Sequence, residues 1–71
     1  MTNIVTAKQE QTRFFLTDEG MASDIPSRAK AFNHSHDAQH AANLENLDSL
    51  RWYGIKWEAA QMLHNGAIAT Q

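Results

Sequence analysis

Between residues 50 and 63 the chain is dense in apolar side chains: Leu50, Trp52, Tyr53, Ile55, Trp57, Ala59, Ala60, Met62 and Leu63. Placed at about 100° per residue, Leu50, Tyr53, Trp57 and Ala60 form one stripe. Trp52, Ile55, Ala59 and Met62 form a second, with Leu63 at its margin, and Arg51, Gly54, Glu58 and Gln61 fill the remaining arc. The stretch before it, residues 36–49, has only Leu44 and Leu47 as large apolar residues. No proline interrupts residues 36–64, Asp37 falls where the dipole of a first helical turn favours a carboxylate, and Asn65-Gly66 supplies a stop. The pattern predicts a helix over residues 36–64. It is either continuous, at about 42 Å, or broken near residues 46–49, where Asp48 and Ser49 are cap-type residues.

Two shorter segments precede it. Thr6 with Gln9 matches a capping box, Glu10 and Arg13 stand three apart, and Gly20 follows Phe14, Phe15 and Leu16. A helix over residues 6–17 is the preferred reading, and a strand at 12–17 paired with 3–7 competes with it. Ser23 or Asp24 can cap a second segment with Pro26 in its first turn, and Ile25, Ala29 and Phe32 recur at helical spacing. Asn33-His34-Ser35 reads as a break, with Ser35 a cap for the long helix. Val and Ile total only five, against many Ala, Leu, Met, Gln, Glu, Lys and Arg, a balance that favours helix over sheet. The expected fold is therefore mainly α. Two short N-terminal segments, the first open to a strand or hairpin, meet a long C-terminal helix in a helical hairpin or small bundle. Residues 1–71 form one small domain, with 1–5 and 66–71 expected to fray.

A helix with two apolar stripes needs cover on two sides. The N-terminal segments can supply one. The core is thin, because eleven of the apolar residues are alanine, so a second copy is the expected cover for the other. This makes Leu47, Leu50, Trp52, Tyr53, Ile55, Trp57, Ala60, Met62 and Leu63 the candidate interface of a homodimer. Trp, Tyr and Met are also residue types enriched at protein interfaces.

Charge and chemistry narrow the function. Six Lys and Arg against eight Asp and Glu, interleaved, give a net charge of −2. Nucleic-acid binding is disfavoured, since phosphate neutralisation normally demands a basic excess. A helix-turn-helix regulator built on residues 25–33, 36–46 and 49–64 is one alternative, although its recognition helix would be the most apolar segment. With no cysteine there is neither disulfide framework nor thiolate site. Residues 1–8 lack a signal-peptide core, and no apolar run is long enough for a membrane span, so a cytoplasmic setting is expected.

Among the histidines, His36 and His40 stand four apart on a helix and are the candidates for a shared metal, a second alternative. Neither HExxH nor the H-x-H-x-D-H order of metallo-hydrolases is present, since Asp37 follows His36 directly. Glu45 with Asp48, and Asp18 with Glu19, read as solvated carboxylates, and Ser23, Ser35 and Ser49 as caps. No phosphate-cradling glycine loop exists. The expectation is a non-enzymatic interaction or regulatory protein without cofactor, of the kind a phage or plasmid encodes as an accessory factor. It would act by covering a host or partner protein's surface.

Overall fold

A computed structural model describes residues 2–48 and 50–70. Four of the five residues 2–6 are β-branched: Thr2, Ile4, Val5 and Thr6. Such side chains suit a pleated surface, and they open β1 (Thr2–Gln9). Ile4, Val5, Thr6 and Ala7 are each at most 1% exposed. The strand, third of five in the sheet, is thus covered on both faces. β2 (Thr12–Leu16), β3 (Ala22–Ser23), β4 (Glu58–Met62) and β5 (Ile68–Thr70) complete it in the order β3-β2-β1-β4-β5, every neighbour antiparallel. The one helix among the described residues, α1 (Ser35–Leu47), packs against β1 and β4.

The mainly α fold expected from periodicity is therefore overturned: the protein is a five-stranded antiparallel sheet with a short helix. In place of a helix over residues 6–17 there is a hairpin, with Thr6 opposite Phe15 and Gln9 opposite Thr12. The competing strand at 12–17 is the one that forms. Glu10 takes the first loop position at φ 58°, a place where glycine is usual. The second segment contains only a 3-10 turn, Pro26–Arg28. After it, residues 29–32 run extended and wedge between the diverging ends of β1 and β2. Ala29 bridges to Thr17 and Phe32 to Asn3, and Lys30 N–H donates to Leu16 O at 2.9 Å.

The long helix stops at Leu47, within the stretch where a break was the alternative. Ser49 lies outside the described residues. Residues 50–63 are not helical: successive turns lead through Gly54, at φ +78°, into β4. That backbone angle is foreign to a right-handed helix and cheap only for glycine. The two apolar stripes have a strand explanation. In β4 the period is two, so Ala59 and Gln61 face one side, Glu58, Ala60 and Met62 the other, and burial of both faces mimics two helical stripes. Thr2, Asn3, Ile4 and Val5, in the stretch expected to fray, pair with Met62, Gln61, Ala60 and Ala59, while Ile68–Thr70 forms the edge strand.

Alanine sets how closely α1 approaches the sheet. Ala38 and Ala42 are fully buried, and they pack with Val5, Ala7, Leu16, Ala59, Trp52 and Trp57. A smaller cluster on the opposite face holds Ile4, Phe15 and Ala60, flanked by Ala29, Met62 and Ile68. No helix in the described residues is long and apolar enough to cross a membrane.

Candidate functional site

The end of α1 and the turns that follow it form a corner in which polar side chains serve the fold while Leu47, Leu50 and Tyr53 do not. Asn46, in the last turn of the helix, holds the chain just before β4. Its Nδ2 donates to Trp57 O at 2.8 Å, and Trp57 N–H donates to its Oδ1 at 2.7 Å. A side-chain amide thus supplies Trp57 with both bonds that a neighbouring strand would give it. Trp52 Nε1 donates to Glu45 Oε1 at 2.7 Å, and the Trp52 and Trp57 rings meet edge to face with centroids 5.1 Å apart. Asp48 Oδ1 accepts Arg51 N–H at 3.3 Å, and Trp52 N–H and Ile55 N–H close two turns at 3.0 and 2.8 Å. The Arg51 guanidinium lies 4.8 Å from the Trp52 ring and donates to Gly20 O.

Against that framework, Leu47 is 81% exposed, Leu50 96% and Tyr53 89%, with Leu44 half-exposed one helical turn before Leu47. The nine candidate interface residues are therefore divided. Leu47, Leu50 and Tyr53 point to solvent. Trp52, Trp57 and Ala60 are core, and Ile55, Met62 and Leu63 are partly buried. Leu44 belongs with the exposed group by its i,i+3 spacing from Leu47, a signal present in the sequence but outweighed by the denser stretch after it. Trp57 carries one anomaly: its Nε1 is buried with no hydrogen-bond partner among the described residues.

His36 and His40 lie on solvent-exposed positions of α1. The rings of His34 and His36 stack with centroids 5.3 Å apart, and His36 Nε2 is 3.4 Å from Asp37 Oδ1. Among the described residues no three His, Asp or Glu side chains converge to hold a metal ion. The helix-turn-helix arrangement has no recognition helix, because residues 50–63 are turn and strand.

A cleft of about 360 Å³ opens between the turn after β2 and the 3-10 turn, lined by Thr17, Glu19, Met21, Ala22, Ser23 and Arg28. Glu19's own backbone N–H, then the Thr17 hydroxyl, hold its carboxyl below the usual carboxylate range; the Arg28 charge adds to this, and desolvation opposes it. No protein-family model, curated protein or solved structure matches the chain.

Proposed function

We propose that this protein works by protein–protein contact, self-associating through the apolar surface of Leu44, Leu47, Leu50 and Tyr53. The observation that carries the proposal is the exposure of these four large side chains within ten residues of chain. They present on the order of 500 Å² of apolar surface, comparable with the largest patch on an ordinary monomer, which is often functional.

The chemistry of the corner favours a second copy. Glu45, Asn46, Asp48 and Arg51 are committed to bonds within the chain. Leu47, Leu50 and Tyr53 face outward with exposed Asp48 and Arg51 between them, whose opposite charges let two identical patches meet across a two-fold axis. An ordinary interface takes about 800 Å² per partner, roughly a sixth of the 4850 Å² surface of the chain.

Sedimentation equilibrium of the wild type and of a Leu47→Asp/Leu50→Asp double variant tests the proposal. Concentration-dependent dimerisation is expected for the first and loss of it for the second, with the melting curve retained. A wild type that stays monomeric at high micromolar concentration would sink it. So would a dimer that ignores both substitutions.

A further inference from the structure

The β4–β5 connection carries a piece of chemistry that the association surface does not use. Asn65 and Gly66 stand at its tip, both exposed. Asn65 Oδ1 accepts Ala67 N–H at 3.0 Å, an Asx turn that holds the side-chain carbonyl close along the backbone and draws electron density from Cγ. Gly66 sits at φ +84°, and among the described residues no atom beyond its chain neighbours lies within 4 Å of where a side chain would begin, so no side chain crowds the turn. One bond guards the Gly66 nitrogen: its N–H donates to Leu63 O at 3.0 Å.

We propose that Asn65 is a site of spontaneous deamidation, and that its conversion releases β5 from the sheet. The deprotonated Gly66 nitrogen attacks Cγ of Asn65. The N–Cγ bond forms, the Cγ–Nδ2 bond breaks, and ammonia leaves with the proton taken from the amide. Water then opens the five-membered imide at either carbonyl, giving aspartate or isoaspartate. The only co-reactant is water, and no electrons change hands. Isoaspartate routes the backbone through the former side chain, adding a carbon to the turn and a negative charge beside it.

Both changes strike the bonds that fix the hairpin. The Asx turn loses its geometry, and the pairs Met62–Ile68, Gln61–Ala69 and Ala60–Thr70 depend on that short connection. β5 is only three residues long, so it has little else with which to keep register. Its departure leaves β4 as the edge of the sheet, an open row of backbone donors and acceptors. The Leu63 carbonyl must release Gly66 N–H before attack, so the reaction rate follows the opening of this turn.

The chain provides its own controls in Asn3, Asn33, Asn43 and Asn46. The intact protein is aged at mildly alkaline pH, and amide-to-acid conversion is followed at each asparagine by peptide mass spectrometry with isoaspartate detection. Asn65 is expected to convert on the order of tenfold faster than Asn33, which is also exposed but precedes His34 rather than a glycine. Equal rates at Asn65 and Asn33 overturn the proposal. Hydrogen exchange is then compared between aged and fresh protein. Faster exchange across β4 and β5 after conversion supports release of the strand, and unchanged protection there overturns that part. An Asn65→Ser variant, which has no amide to lose, is expected to stay protected through the same ageing; loss of protection in it would assign the release to another cause.

Discussion

The two hydrogen bonds between Asn46 and Trp57 make a quantitative prediction. Trp57 is 1% exposed, and its backbone N–H and C=O both bond to one side chain, at 2.7 and 2.8 Å. Asn46→Ala removes donor and acceptor together. Each buried backbone group left unpaired costs about 1–3 kcal/mol. Because Asn46 itself is exposed, water will reach part of the space it leaves, which puts the total at about 2–4 kcal/mol. With 71 residues, the unfolding entropy is about 150 cal/mol/K, so each kcal/mol moves the midpoint by about 7 °C. The expected loss is about 13–27 °C in Tm, followed by circular dichroism and by tryptophan fluorescence. Asn43→Ala is the control: Asn43 bonds only to Gln39 among the described side chains, on the exposed side of the same helix, and should stay within about 0.5 kcal/mol of wild type. If Asn46→Ala melts within a few degrees of Asn43→Ala, the clamp does not hold β4 in place.

Three further outcomes follow from single residues. Glu10→Gly should stabilise the chain by about 0.5–1 kcal/mol in urea titration, because relief of a left-handed side chain at φ 58° outweighs the added backbone entropy; a net loss would mean the Glu10 side chain supports the hairpin. Trp57→Phe should cost less than Trp52→Phe in the same assay, since the indole N–H lost at Trp57 has no partner while that of Trp52 gives up a bond to Glu45; the reverse order would show that Trp57 Nε1 is satisfied in solution. Glu19's lowered pKa contributes stability above the usual carboxylate range, and that contribution is lost as pH falls through the folded value. Urea midpoints should therefore show wild type above Glu19→Gln at neutral pH and the gap closing in acid, and a gap that widens in acid would reverse the sign.

The sheet was legible in places where composition concealed it. Five Val and Ile in the whole chain argue for helix, yet Ile4 and Val5 stand with Thr2 and Thr6 inside five residues, and strand formation follows that local density rather than the total. Residues 50–63 show why period alone misleads: Trp57, Ala59, Ala60 and Met62 fit two helical stripes and also a strand buried on both faces. The glycine at 54 distinguishes them, since it marks where the backbone reverses. Length mattered as well. A helix over residues 36–64 has no partner long enough in a chain of 71, whereas a helix ending at Leu47 packs on β1 and β4. Of the nine candidate interface residues Leu47, Leu50 and Tyr53 are exposed; for Leu50 and Tyr53 this depends on the turns that Asp48 and Gly54 mark, and the Asn46–Trp57 clamp, eleven residues apart in sequence, has no local signature.

The same turn that exposes Leu50 and Tyr53 also fixes them, and this bears on the proposed association. Arg51, Trp52 and Ile55 are held through their N–H groups by Asp48 Oδ1, Asp48 O and Trp52 O, and Trp52 is anchored by Glu45. A surface ordered before contact loses less entropy on association than a loose one. Glu45→Ala leaves all four exposed side chains intact but frees Trp52 Nε1. Ordering a released side chain costs about 0.5–1.5 kcal/mol on binding and a symmetric dimer orders two, so dimer affinity should fall by roughly five- to 150-fold, read by sedimentation equilibrium beside a circular dichroism spectrum that confirms the fold. Leu50→Asp acts differently. It removes an apolar contact worth about 1.5–3 kcal/mol in each copy, and the symmetric dimer loses it twice. A Glu45→Ala protein that is fully folded and associates as tightly as wild type would show that the framework beneath the patch contributes nothing to its binding.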